Sequence, residues 1–238
     1  MLFLLHGWGL NRRVFAGLEG ALDIPTRSLD MPGHGEAPYA PGALDPDTLA
    51  ARLAAAHPGA HAWLGWSLGG LVALTLAARH PQSVSRLVLV GATPRFVRTP
   101  DWPHGTEPAV LQTFADQLAI DHAATVRRFL TLQAGPGARP EARALMADLQ
   151  TGGMPQPAAL AEGLAVLQGS DRRALLSSIR APVLFVHAAS DAIVPIEAAR
   201  AASRLVPNGR LHEAGRGHAP FLNAEACVAT LIRDFLSD

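Results

Sequence analysis

Trp63-Leu64-Gly65-Trp66-Ser67-Leu68-Gly69-Gly70-Leu71 is the stretch on which the reading of this 238-residue chain turns. It contains a Gly-x-Ser-x-Gly pattern at Gly65 to Gly69, between a short apolar run (Ala62 to Leu64) and a helical one (Leu71 to Ala78). A serine wedged into a tight strand-to-helix turn has its hydroxyl pushed out above a sheet, and flanking glycines let the backbone crowd there. The spacing therefore predicts a nucleophile elbow. A Gly/Ser turn without chemistry has the same letters, so the surroundings must decide.

Upstream, Met1 to Leu5 is a continuous apolar run that enters the glycine-rich loop His6-Gly7-Trp8-Gly9, the pattern of a fully buried strand. Ala21 to Leu29 reads as a short strand ending in the turn-rich Asp30 to Gly35, and Pro46 to His57 as a helix. Downstream, Arg86 to Val90 and Pro182 to His187 read as buried strands, Glu197 to Leu205 as a helix, Arg210 to Glu213 as a short strand and Asn223 to Leu236 as an amphipathic helix. Alternating strands and helices imply an α/β fold with a mostly parallel central sheet and helices on both faces. From Thr93 to Ser178 the rhythm changes. Helical spacing recurs near 107–118, 122–133, 139–150 and 157–168, separated by breaks such as Gly135-Pro136-Gly137 and Gly152-Gly153-Met154-Pro155. The expected organisation is a core of residues 1–92 and 179–238 with an inserted helical lid at 93–178.

Composition removes several classes of function. Hydrophobic residues make up 49% and charged residues 17%, which argues against disorder. The formal net charge is zero, so bulk electrostatics point to neither nucleic acid nor membrane. All 20 basic residues are Arg, which excludes Schiff-base chemistry, Ser-Lys dyads and a phosphate-binding loop lysine. Cys227 is the single cysteine, and no Cys/His cluster has zinc spacing. Met1 to Leu5 is too short for a signal peptide or a membrane span. A soluble, cytoplasmic, monomeric protein is expected, with no metal and no cofactor.

In a parallel sheet, functional groups collect at the carboxyl ends of the strands. Ser67 follows the central strand, Asp191 the Pro182 to His187 strand, and His218 the Arg210 to Glu213 strand. A serine hydroxyl needs a base, imidazole suits that role at neutral pH, and a buried carboxylate fixes the imidazole tautomer. The order Ser, Asp, His along the chain is that of α/β-hydrolases. The N–H groups of Leu68, just after the serine, and of Trp8, in the glycine loop, would then form an oxyanion hole. Each piece has a plainer reading. Asp191 could cap a turn, His218 could be one of ten histidines in a loop, and Gly7 and Gly9 could be turn residues. After the Arg86 to Val90 strand only Gly91, Ala92 and Thr93 follow, so that position offers no rival carboxylate.

The segments Leu5-His6-Gly7-Trp8-Gly9-Leu10-Asn11, Gly65 to Ala73, Thr125-Val126-Arg127-Arg128-Phe129-Leu130-Thr131-Leu132-Gln133 and Gly217-His218-Ala219-Pro220-Phe221 together resemble the pimeloyl-acyl-carrier-protein methyl ester carboxylesterases of biotin synthesis. The resemblance implies a serine esterase that cleaves the methyl ester of a pimeloyl chain carried on acyl carrier protein. It carries substrate contacts onto Trp8, Ser67, Leu68, Phe129, Leu130, Thr131, Leu132, Gln133 and His218. Phe129, Leu130 and Leu132 would offer apolar surface to a methylene chain. Acyl carrier protein is acidic, and Arg128, Arg139 and Arg143 match basic family positions for docking it. Ala124 stands where the family has another basic residue, with Arg127 beside it. The family usually carries a further strand pair before its His-Gly loop, whereas this sequence starts at the strand feeding it. Other readings stay open: a general short-chain carboxylesterase, a C–C bond hydrolase with the same triad, or a non-catalytic receptor whose pocket holds a small ligand.

Overall fold

The computed structural model describes residues 1–135 and 138–238. Pro136 and Gly137, within the expected Gly135 to Gly137 break, lie outside them. Six strands form one sheet in the order β2-β1-β3-β4-β5-β6: β1 (Leu2–Leu5), β2 (Thr26–Leu29), β3 (His61–Trp66), β4 (Val84–Val90), β5 (Val183–His187) and β6 (Gly209–Glu213). Every neighbouring pair is parallel. β1 and β5 are buried along their whole length, as expected for strands covered on both faces, while β2 and β6 close the two edges and are partly exposed.

The core helices are α1 (Ala16–Leu22), α2 (Pro46–Ala56), α3 (Leu68–Arg79), α8 (Ile196–Leu205) and α9 (Glu225–Ser237). α2 packs on α3, which lies along β3 and β4, and α8 joins that side through the 3-10 turn Arg173–Ser178; α1 and α9 pack together on the other face. α2 starts where physical chemistry predicts. Asp45 caps it by accepting a hydrogen bond from the Thr48 N–H at 2.9 Å, with Pro46 in the first turn.

One expectation needs correcting. Residues 21–22 belong to a helix, and the strand expected over 21–29 begins only at Thr26. Glycines at 17 and 20 mask the helical spacing of Leu18 and Leu22, which the core buries. A Cβ at Gly17 would meet only the exposed carboxylate end of Glu225 on α9, a side chain free to swing aside, so α1 and α9 approach closely there without requiring glycine.

Between β4 and β5 the described chain forms α4 (Pro108–Ile120), α5 (His122–Ala134), α6 (Arg139–Gly152) and α7 (Pro157–Gly169), with two isolated bridges, Val97 to Thr106 and Thr99 to Trp102. This layer is tied to the core at several points. Glu162 on α7 accepts hydrogen bonds from the Tyr39 hydroxyl at 2.7 Å and from the N–H groups of Leu44 (2.7 Å) and Gly42 (3.1 Å). Val126 of α5 and Leu160 of α7 come within 4.0 Å of where a Cβ on Gly9 would lie, so the helical layer covers the His6 to Gly9 loop. Among the described residues no helix is long and apolar enough to cross a membrane.

Candidate active site

The site begins at the junction of β3 and α3. Among the described residues Ser67 is one of two non-glycine residues with positive φ, at φ 55° and ψ −116°, and it serves as the N-cap of α3. Such a conformation costs of order 1–3 kcal/mol and survives only where the surroundings impose it. Gly65 and Gly69 show how. A Cβ on Gly65 would meet the Gly69 carbonyl oxygen at 2.4 Å, and one on Gly69 would meet the Leu5 carbonyl oxygen at 2.3 Å. The turn is therefore closed against its own helix on one side and against β1 on the other.

The three residues expected to meet do meet. The His218 imidazole stands between them, with Nε2 2.8 Å from Ser67 Oγ and Nδ1 2.8 Å from Asp191 Oδ2. A carboxylate only accepts hydrogen bonds, so Nδ1 carries the proton and Nε2 presents its lone pair to the serine hydroxyl. Ser67 is 1% exposed, His218 0% and Asp191 8%. Burial pushes the Asp191 carboxyl pKa up, but attraction to His218 and hydrogen bonds from His187 and His218 outweigh it and hold the group below the ordinary carboxylate range.

Asp191 both caps its own turn and faces His218. Oδ1 caps its own turn by accepting from the N–H groups of Ile193 (2.8 Å) and Val194 (3.0 Å), which leaves Oδ2 free to face the imidazole. His218 is held through its backbone, its N–H donating to the Gln133 carbonyl at 2.9 Å and its carbonyl accepting from Trp66 Nε1 at 2.8 Å. At position 91 a Cβ would lie 3.1 Å from His218 Nδ1, so glycine after β4 leaves room for the imidazole.

The remaining expected contacts divide. The glycine loop lies against the elbow, since a Cβ on Gly7 would sit 3.3 Å from Ser67 Cβ. Among the described residues neither the Trp8 nor the Leu68 amide N–H has a hydrogen-bond acceptor. Trp8 is fully buried, its indole N–H donating to the Leu160 carbonyl at 2.8 Å and its ring edge-on to Phe129 at 4.9 Å. Leu130 and Gln133 are buried, and the Gln133 side-chain amide has no partner among the described residues. Thr131 faces outward, and Leu132 is half-buried. Both line an apolar groove of about 670 Å³ between α4 and α5 that runs from Arg128 to Ala192, next to Asp191. Arg128 reaches Gln117 at 2.9 Å, while Arg139 and Arg143 are exposed on α6. No cluster of His, Cys, Asp and Glu suited to a metal occurs among the described residues.

Several residues at the site were not singled out by the sequence. His187 Nε2 lies 3.2 Å from Asp191 Oδ2 and 2.8 Å from the Val194 carbonyl. Ser190 Oγ accepts from the Gly217 N–H at 3.2 Å. Arg216, in the turn before His218, approaches Glu141 of α6 at 3.4 Å. Only their adjacency to Asp191 and His218 along the chain could have flagged them.

The sequence profile of the alpha/beta hydrolase fold matches residues 1–225. The chain is 42% identical over 245 residues to the pimeloyl-[acyl-carrier protein] methyl ester esterase of Aromatoleum aromaticum, covering 98% of this chain and 96% of that protein. It is also 42% identical to the protein of the same name from Nitrosomonas europaea, over 93% of this chain and 90% of the relative. Among solved structures, an esterase from Exiguobacterium antarcticum superposes with a TM-score of 0.89 at 21% identity, covering 100% of this chain and 91% of that one, a likeness of fold. With a shared profile across most of its length and relatives at that level of identity, this chain belongs to the α/β-hydrolases and, within them, to the pimeloyl-[acyl-carrier protein] methyl ester esterase family.

Proposed function

We propose that this protein is a serine carboxylesterase that hydrolyses the methyl ester of pimeloyl-acyl carrier protein, as a step of biotin synthesis. The observation that carries the reading is the single imidazole of His218, 2.8 Å from both a carboxylate oxygen of buried Asp191 and the hydroxyl of Ser67, whose backbone is held at positive φ. Family membership supplies the substrate class.

In this reading Ser67 Oγ attacks the ester carbonyl while His218 Nε2 takes its proton, and Asp191 stabilises the imidazolium. Negative charge grows on the carbonyl oxygen, where the N–H groups of Trp8 and Leu68 receive it, helped by the positive end of α3. The tetrahedral species collapses, methoxide leaves with the Nε2 proton as methanol, and the acyl group stays on Ser67. Water then attacks the acyl-serine with His218 as base again, and collapse frees a carboxylate and the serine. No step calls on a group from outside the chain other than water.

Residues 93–178 are assigned the role of a lid over the core of 1–92 and 179–238. The site is closed over Ser67, so substrate entry requires movement of the helical layer, and the groove from Arg128 to Ala192 is its natural approach. Phe129, Leu130, Leu132 and Gln133 would line the acyl chain, with Thr131 at the groove mouth. Arg128, Arg139 and Arg143 would receive the acidic carrier.

The test compares methanol release from methyl pimeloyl-acyl carrier protein and from free dimethyl pimelate, with Ser67→Ala as control. Carrier-bound substrate should be preferred, both reactions should vanish in the control, and the gene should rescue a biotin auxotroph lacking the esterase. Absence of turnover on either ester by folded protein would favour a ligand receptor. Equal turnover of both, without rescue, would favour a general esterase.

A further inference from the structure

The glycine loop contains a buried imidazole that the triad chemistry does not use. His6 Nε2 accepts a hydrogen bond from the Met31 N–H at 2.9 Å. With that nitrogen as acceptor the proton sits on Nδ1, which donates to the carbonyl oxygen of the next residue, Gly7, at 2.8 Å. Burial and the nearby His34 push the His6 pKa down to about 3, against a small opposing effect of the Gly7 bond. The ring is therefore neutral, in one tautomer, across the neutral pH range.

The consequence lies in the next peptide. The Gly7–Trp8 bond is trans and planar, so its carbonyl and its N–H point in opposite directions. Holding the Gly7 oxygen on His6 fixes the Trp8 N–H on the side away from that imidazole. The same loop presses on the elbow, and the Trp8 N–H has no acceptor among the described residues. Glycine at 7 eases this approach, since a Cβ would lie a tight 3.1 Å from the Trp66 ring, and glycine also leaves the peptide free to turn.

We propose that His6 is the positioning residue of the oxyanion hole: its grip on the Gly7 carbonyl keeps the Gly7–Trp8 peptide in the orientation that offers the Trp8 N–H to the oxyanion formed at Ser67. Without that grip the peptide can rotate and bring the Gly7 oxygen toward the place where negative charge develops. The inference rests on the reading of the Trp8 N–H as an oxyanion donor.

The test uses His6→Leu, His6→Asn and His6→Gln in the full chain, assayed with a methyl ester and with a trifluoromethyl ketone that forms a tetrahedral adduct on serine. An asparagine amide nitrogen falls near the Nδ1 position and can bond the Gly7 oxygen; a glutamine reaches the Nε2 position and can replace only the Met31 contact. His6→Leu and His6→Gln should lose on the order of 10²-fold in kcat, the cost of one oxyanion donor, with KM within about 2-fold and ketone affinity falling in parallel. His6→Asn should recover most of the loss. Equal losses in Asn and Gln variants that follow their melting temperatures, or an unchanged kcat in His6→Leu, overturn the proposal. Should the variants not fold, the unmodified enzyme gives a second readout by NMR of its ketone adduct. The Trp8 amide proton should move downfield while the His6 Nδ1 proton stays protected from exchange, and a freely exchanging His6 proton overturns the proposal. A Trp8 amide that does not move removes the oxyanion reading itself; one that moves while His6→Leu keeps its kcat removes only the role of His6.

Discussion

His187 Nε2 lies 3.2 Å from Asp191 Oδ2, the same oxygen that faces His218 at 2.8 Å, so one carboxylate oxygen serves two imidazoles. His187 also donates to the Val194 carbonyl, and its Nδ1 is buried without a partner among the described residues. The second imidazole thus steadies the carboxylate from behind at the cost of one unsatisfied ring nitrogen. Replacing it by Phe should let Asp191 rotate and lower kcat by roughly 10-fold, the scale of one hydrogen bond to a charged group, with little change in KM. Steady-state kinetics on a methyl ester checks this, and an unchanged kcat would remove His187 from the account.

Strain at the elbow has its own signature. Ser67→Ala and Ser67→Gly both lose the hydroxyl and its bond to His218, but only glycine accepts φ 55° and ψ −116° without cost. After allowing for the greater freedom of glycine in the unfolded chain, Ser67→Gly should melt about 2–4 °C above Ser67→Ala. Both should be inactive. Calorimetry showing the glycine variant melting lower would mean that the turn is unstrained.

Acid should unfold the protein in a window set by two imidazoles. His6 and His34, with rings 5.2 Å apart, are pushed down to about 3 and about 4, chiefly by burial. The unfolded chain takes up those protons near pH 6.5 while the folded one does not, so stability is highest above pH 6.5 and falls as pH drops toward 4. The loss should amount to a few kcal/mol. Denaturant melts at pH 7 and pH 4.5 should show it, and His34→Phe should flatten the slope. An unchanged slope in that variant would contradict the assignment.

Carrier docking is the electrostatic claim. Arg139 and Arg143 are exposed one turn apart on α6. Arg139→Glu with Arg143→Glu should lower kcat/KM for the carrier-bound ester by 10-fold or more at low salt, with the deficit shrinking as ionic strength rises. Free dimethyl pimelate should be hydrolysed as before. Equal losses on both substrates would place these residues in the fold and not at an interface.

What the sequence disclosed, and what it withheld, follows from the range of the interactions. Ser67 announces itself because its strain is solved locally, by glycines two residues away on either side. Asp191 and His218 stand in short loops after strands, and their order along the chain supplies the pairing. The strand expected over residues 21–29 starts too early because Gly17 and Gly20 weaken the helical pattern of Ala16–Leu22, which only the burial of Leu18 and Leu22 in the folded chain makes evident. Nothing along the chain distinguishes His6 and His187 from the other histidines, since their roles depend on where a neighbouring carbonyl or carboxylate points. Trp66 is one more apolar residue of the elbow when read along the chain, yet its indole N–H holds the His218 carbonyl 152 positions away.

In the proposed reaction Ser67 attacks the methyl ester and leaves the thioester to the carrier intact. Intact-mass analysis of the carrier after reaction with methyl pimeloyl-acyl carrier protein decides this. The expected products are methanol, a carrier lighter by one methylene group that still bears its acyl chain, and, on rapid acid quench, a Ser67-linked conjugate of enzyme and carrier. Carrier with a free thiol, together with released monomethyl pimelate, would contradict it.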